Sequence, residues 1–530
     1  MIGHLAKRWI GVAAMTLVLA GPLSAQTVTP FMQSLAEAAA DEPALSKFYR
    51  ETRYAPLWTG DDRPDRARRA ALIEAFAQAE LHGLPPLNYD PETLRTILAA
   101  ARTPSERARA DVALSRAYLA YASDLATGIL DPSTVVPGIK RRPVRRDDAH
   151  LLRAIAGPQP RQALARLAPQ SPEYRRLLGE KRKLEDVIAR GGWNAPVPAG
   201  HLEPGSEGPD VAVLRDRLIS MGYLAPTVRL RYDAAVRRAV ETFQKDHGLV
   251  SDGIVGAATR TALNIAASDR LGQIIVAMER ERWLPRDLGA RHIWVNLTDF
   301  TAKIVDGGKV TFATRSVIGK NAEDRETPEF SDSMDHMVIN PTWYVPRSIT
   351  VNEYLPDLRQ NPWAHGQLEI VDRRGTPVNR ARGFAQYSAA NFPFSMRQPP
   401  GERNALGRVK FMFPNKYNIY LHDTPAKGLF SQPVRAYSHG CIRLSDPTGF
   451  ARALLAAQTD DPGTFYERRL RSGRETRVSL DVPVPVHLVY RTAIAKPAGG
   501  MSYRADIYGR DAALLAALGR AGVVLGEIGS

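Results

Sequence analysis

The chain has 530 residues, a formal net charge of +15 and a single cysteine. That length exceeds what one hydrophobic core organises, so about two to four domains are expected. The 44% hydrophobic content is that of an ordinary globular protein. The lone cysteine excludes an intrachain disulfide, and the positive balance points to an acidic partner: an anionic polymer, a membrane surface or nucleic acid.

At the N-terminus, Lys7 and Arg8 precede an almost wholly apolar run, Trp9 to Ala20. Gly21-Pro22 ends it, and Leu23-Ser24-Ala25 forms a small-residue cleavage site before Gln26. This layout predicts a secretory signal peptide over residues 1–25 and an exported protein. If the signal is retained, the same run becomes an inner-membrane tether, although it is short for a span. Export sets nucleic acid aside as a partner. Exported proteins usually use cysteines in pairs, so an unpaired one is a buried bystander or a nucleophile.

Residues 30–190 read as a helical scaffold domain. Between Arg68 and Leu84, Leu72, Phe76 and Ala79 recur at helical spacing, with Gly83 as a stop. Between Arg107 and Thr127, Leu114, Tyr118, Tyr121 and Leu125 form one stripe that Gly128 ends. Both stripes read as core. The densest basic stretch, Arg141-Arg142-Pro143-Val144-Arg145-Arg146, reads as a solvated loop.

Residues 193–201 read as a linker. In 202–264, a helix carrying Val211, Leu214 and Leu218 ends at Gly222-Tyr223-Leu224. A second, with Val236, Val240 and Phe243, stops at Gly248; Asp252-Gly253 turns, and Thr259 to Leu263 continues as a short helix. This unit resembles the small three-helix peptidoglycan-binding domain in Leu214, Leu218, Gly222-Tyr223, Phe243-Gln244 and the run from Gly248-Leu249 to Thr259.

From about residue 290 the period shortens to two. Ile293, Val295 and Leu297 alternate with polar or outward residues. Asp306-Gly307-Gly308 joins two further strands in a hairpin. Lys410 to Phe413 and Asn418 to His422 also read as strands, so a β-rich catalytic domain is expected over 290–470. Within it, 347–405 is long and rich in Pro, Asn and Arg, the mark of a functional lid or insertion. Residues 475–530 follow as a C-terminal segment. The fold class is multidomain α+β.

Cys441 lies in Tyr437-Ser438-His439-Gly440-Cys441-Ile442-Arg443, and His422 in Tyr420-Leu421-His422-Asp423. Fifteen residues, 423 to 437, separate His422 from Ser438. A thiol with a nearby imidazole to take its proton is the equipment of cysteine acyl transfer, and such a thiol is expected to have a lowered pKa. Backbone N–H groups around Gly440 and Cys441 are candidates for holding an oxyanion. Arg443, always charged, is placed to clamp a carboxylate or brace the loop. Two histidines compete for the base. In an extended strand His439 would share a face with Cys441, and spacing alone does not choose between them. Asp423, adjacent to His422, would face away from it. Lys427 and Arg435 read as solvent-facing.

His422 followed at this spacing by Ser438-His439-Gly440-Cys441-Ile442-Arg443 resembles the active-site signature of L,D-transpeptidases of the YkuD type. Phe48-Tyr49 to Trp58, Asn340-Pro341 to Pro346, Asn404 to Phe411, and Val484-Pro485-Val486 to Gly509 are similar to the large multidomain periplasmic members. The resemblance implies a β-sandwich catalytic domain capped by the 347–405 insertion. It implies Cys441 as nucleophile, and His422 as base with its ring held by the Asp423 backbone carbonyl. His439 with the Gly440 and Cys441 amides becomes the support and oxyanion group, and Tyr420, Ser438 and Arg443 become site-lining residues. It further implies a 3→3 cross-linking acyl transfer between peptidoglycan stem peptides, with D-Ala released and no metal or nucleotide needed. Other wall-synthesis enzymes are then candidate partners. The alternatives are hydrolysis of the same acyl-enzyme, as an L,D-carboxypeptidase or endopeptidase, and a wall-binding scaffold with a vestigial site.

Overall fold

Pro at the first turn and a side-chain cap start the long N-terminal helices. Asp62 accepts from the Asp65 amide at the head of Arg63–Ala77, and Thr103 with Glu106 forms a capping box ahead of Pro104–Thr127. A computed structural model describes residues 28–227, 229–322 and 324–524; the expected signal peptide, 1–25, lies outside the described residues. The first predicted stripe holds one helix and then a 3-10 turn, Glu80–His82, stopped by Gly83 at φ 68°. Leu72, Phe76, Leu114, Tyr118, Tyr121 and Leu125 are all buried in one core.

That core reaches far along the chain. Helix Ala267–Arg282, the hairpin Ala493–Ala495 with Met501–Tyr503, and helix Arg510–Arg520 all contribute to it. The C-terminal segment thus divides. Thr476–Val489 is a strand of the large sheet, and the remainder packs on the N-terminal helices. The small unit, Pro209–Ser220, Ala234–Asp246 and Ala257–Leu263, has its own core, which takes in Val197 from the 193–201 stretch. It is also docked: His247 stacks on Phe243 and on Tyr503 of the hairpin, with ring centroids 3.8 and 5.5 Å apart.

The large sheet has nine strands: β1 (Arg291–Asn296), β2 (Thr301–Asp306), β3 (Lys309–Gly319), β4 (Phe330–Ile339), β5 (Val409–Met412), β6 (Leu421–His422), β7 (Ala436–Ser438), β8 (Ile442–Leu444) and β9 (Thr476–Val489). Their order is β7-β3-β8-β6-β5-β4-β9-β1-β2, and an added β2–β3 pairing closes it. Closure turns the sheet's two halves toward one core that includes Ile293, Met334, Phe411, Leu421 and Ile442. The expected strand over 418–422 shortens to two residues because Asn418 adopts a left-handed conformation, φ 55°.

The 347–405 insertion is folded. Arg347–Ile349 and Leu355–Gln360 flank a π turn, Thr350–Tyr354. Strands Trp343–Tyr344, Ser395–Gln398 and Glu369–Val371 form a small sheet beside them. Leu355, Leu358, Ile370, Phe384, Phe392 and Met396 bury one another in a separate core.

Candidate active site

The site is a product of strand register. β8 runs parallel to β6, with Ile442 opposite Leu421 and Arg443 opposite His422. Side chains alternate along a strand, so Cys441 and Arg443 share a face with Tyr420 and His422. Leu421, Ile442 and Leu444 point the other way, into the core. The Tyr420 and His422 rings lie 5.6 Å apart. At the mouth of this patch, the Cys441 thiol donates to the Asn418 carbonyl, 3.4 Å away.

His422 is buried, and its Nδ1 lies 2.5 Å from the Asp423 carbonyl oxygen. A carbonyl only accepts, so Nδ1 carries the proton and Nε2 keeps its lone pair. Burial, then the charge of Arg443, lowers the His422 pKa to about 3. The ring is therefore neutral at any ordinary pH. Lys410, opposite His422 on β5, adds a second like charge and is itself lowered by burial.

The thiol differs from the sequence expectation. Burial raises its pKa to about 11, against the lowering effect of Tyr420 hydrogen bonds and the Arg443 charge. The reason is desolvation: a thiolate loses more hydration here than nearby dipoles restore. The resting pair is neutral thiol and neutral imidazole.

Gly440 sits at φ 111°, and a Cβ there would meet Ile419 Cδ1 at 3.2 Å. This conformation breaks the extended chain between β7 and β8. The alternation argument that put His439 and Cys441 on one face therefore does not apply. His439 is exposed, and its Nε2 lies 2.9 Å from Glu353 Oε1 in the π turn of the insertion. Glu353 also pairs with Arg325 at 2.9 Å. Glu353 had no sequence signal, because its partner is 86 residues away.

The motif turn is braced from inside. Buried Ser438 donates through Oγ to the Cys441 carbonyl and accepts from the Gly440 amide. Thr327 Oγ1 donates to the Gly440 carbonyl at 2.7 Å. The Tyr508 hydroxyl, from the C-terminal stretch, donates to the Gly319 carbonyl at 2.6 Å beneath it. The Asp423 carboxylate faces away from His422, accepting from the Arg408 and Thr424 amides and from Lys427 Nζ. Arg435 is not solvent-facing: it donates to the Ser316 carbonyl and lies over the Phe300 ring at 5.0 Å. Arg443 makes no side-chain hydrogen bond among the described residues. Its buried Nε has no partner there, and its charge acts on both His422 and Cys441.

Residues 290–469 match the model of the L,D-transpeptidase catalytic domain, YkuD. The chain carries a YkuD-type L,D-transpeptidase domain. Residues 207–263 match the "Putative peptidoglycan binding domain" and 43–180 the "Scaffold domain". A Haemophilus influenzae protein named "Putative L,D-transpeptidase" is 32% identical over 223 residues, 41% of this chain. The chain spans 44% of that relative's length. An L,D-transpeptidase structure from Xylanimonas cellulosilytica aligns at 18% identity over 56% of this chain and all of its own, with a TM-score of 0.17. One from Stackebrandtia nassauensis aligns at 16% identity over 56% and 97%, with a TM-score of 0.22. No helix among the described residues is long and apolar enough to cross a membrane.

Proposed function

We propose that the protein is an exported peptidoglycan L,D-transpeptidase that forms 3→3 cross-links through a Cys441 thioester. The observation that carries this reading is the His422 tautomer. Its Nδ1–H is fixed on the Asp423 carbonyl, and its Nε2 is free on the face that presents Cys441. In acylation, Cys441 Sγ attacks the carbonyl of the third stem residue, and the thiol proton passes to His422 Nε2. The peptide C–N bond then breaks, the D-Ala amine takes the proton from the imidazolium, and a thioester remains. A side-chain amine of a second stem attacks the thioester, giving its proton to His422, and the thiol leaves reprotonated.

A preformed thiolate–imidazolium pair is disfavoured at both partners by burial. Proton transfer therefore accompanies C–S bond formation. The charge that develops on the carbonyl oxygen meets the unpartnered Arg443 cation and the Cys441 amide, which donates to no described residue. The Gly440 amide is less available, being bound to Ser438. The insertion, tied to the motif through Glu353, serves as a cap that keeps water from the thioester until the amine arrives.

The test is mass spectrometry of purified tetrapeptide muropeptides incubated with mature protein and with Cys441→Ala. Wild type is expected to yield 3→3 dimers and a trapped acyl adduct on Cys441, and the variant neither. Shortened stems without dimers would make the enzyme a hydrolase, and dimers from Cys441→Ala would remove the nucleophile assignment.

A further inference from the structure

Between the N-terminal helices and the catalytic sheet lies a cleft of about 1620 Å³, above the roughly 300–1,000 Å³ of small-ligand sites. The basic run at 141–146 is the loop that its composition suggests, with Arg142, Val144 and Arg145 exposed, but it is anchored at its start. Its backbone is pinned where the Lys140 amide donates to the Glu329 carbonyl, 2.8 Å away. Arg141 is buried, donating to the Leu488 carbonyl at 2.7 Å and to Ser331 Oγ at 2.9 Å. The run thereby becomes a wall of the cleft.

Six lining cations, Lys140, Arg141, Arg142, Arg146, Arg286 and Lys416, have no carboxylate within 4.0 Å among the described residues. Two pairs of them each share one neighbour. Lys140 and Lys416 flank one ring, Tyr417, at 5.8 and 5.4 Å from its centroid. Arg146 and Arg286 converge on the Arg166 carbonyl at 3.2 and 3.3 Å, and the Arg146 charge adds to burial in lowering Arg286. The cleft's carboxylates do not offset this. Glu173 and Glu281 are taken by Arg176 and Arg491, which leaves Asp287 and Asp332. The rim at Asn415–Tyr417 is one residue from Asn418, whose carbonyl accepts the Cys441 thiol.

We infer that this cleft is a binding site for a carboxylate-bearing polymer, an extended peptidoglycan strand whose peptide carboxylates seat on the two cation pairs. The identity of the strand rests on the acyl-transfer reading; the anionic, polymeric chemistry rests on the cleft. An anion relieves the repulsion between Arg146 and Arg286, and guanidinium and ammonium groups are the donors that carboxylates bind most strongly. A small ligand fills only part of the volume, whereas a strand occupies its length.

Zero-length carbodiimide coupling on the full-length protein tests this, because it links a carboxylate to a lysine only at ion-pair distance. With soluble, uncross-linked peptidoglycan strands, Lys140 and Lys416 are expected to become coupled. Coupling should fall by about ten-fold when salt rises from about 50 to about 300 mM, and equally when an amidase has removed the stems. Lys416→Glu and Arg142→Glu, both at exposed positions, should weaken coupling at Lys140 by about three-fold or more without changing the melting temperature. Coupling only at lysines outside the cleft, or unchanged coupling with stripped strands or in both variants, would overturn the proposal. So would competition by phosphatidylglycerol vesicles but not by free strands, which would assign the cleft to a lipid surface. Lost Cys441 acylation with coupling intact sinks the acyl-transfer reading alone. Intact acylation without coupling sinks the cleft alone.

Discussion

The catalytic patch and the insertion beside it are held in opposite ways. Cys441, Arg443, Tyr420 and His422 are fixed by the pairing of two short strands over a buried core, so each position follows from its neighbour. The insertion has a core of its own and reaches the motif through one carboxylate, Glu353, which bridges His439 and Arg325. The patch cannot move without breaking the sheet. The insertion can shift by releasing partly exposed ion pairs, each worth at most about 1 kcal/mol. On the proposed reading, the molecule separates a rigid reacting pair from a cap whose contact is weak enough to open for substrate.

The largest expected effect breaks the patch. His422→Ala should lower transfer by on the order of 10²-fold or more, measured as the rate of dimer formation. His439→Ala should cost less, because its ring is exposed and tied to the cap rather than to the reacting pair. The reverse order would move the base to His439.

Shortening the insertion should leave Cys441 acylation intact and shift products from cross-links toward hydrolysed tripeptide stems. An unchanged ratio of transfer to hydrolysis would show that the cap plays no part in partitioning.

The pH dependence sharpens the contrast. His422 gains a proton only near pH 3, and Cys441 loses its own only near 11. The profile of kcat/KM for a small soluble donor should therefore be flat well below 6.5 and above 8.5, limited by denaturation. In the free enzyme, alkylation of Cys441 by iodoacetamide should keep rising about ten-fold per pH unit beyond 9. A plateau reached near pH 7 would instead indicate a thiolate–imidazolium pair.

Glu353→Gln keeps an acceptor for His439 but loses the charge shared with Arg325. It should reduce transfer by no more than about five-fold, the scale of one partly exposed pair. Steady-state kinetics and the hydrolysis ratio would measure it.

The remaining prediction concerns stability, in which the patch takes part through His422 and the insertion does not. Burial lowers His82, His247, His422 and His487 to about 4, 3, 3 and 4. Between those values and about 6.5 the unfolded chain binds more protons than the native one, so stability is full above 6.5 and lost as pH falls. Urea midpoints at pH 7 and pH 5 would measure this.

Much of this was legible in the chain. Helix stripes announced themselves by period, and the Asp306-Gly307-Gly308 hairpin by its turn residues, because those signals are local. The His422–Cys441 spacing pointed to the proposed site, since His422 ends one short strand and Cys441 immediately precedes its neighbour. What was not legible depends on distant partners. Glu353 meets His439 across 86 residues. Arg435 is drawn inward by Ser316 and Phe300, and Arg141 by Leu488. The direction of the thiol pKa was missed because residue types reveal neighbours but not the water excluded around them. By itself the sequence determined many of the elements, the motif on which the proposed reacting pair rests, and its resemblance. Only the tertiary structure decided the protonation states, the partner of each histidine and the cleft, because desolvation and long-range pairing exist only once the chain has closed on itself.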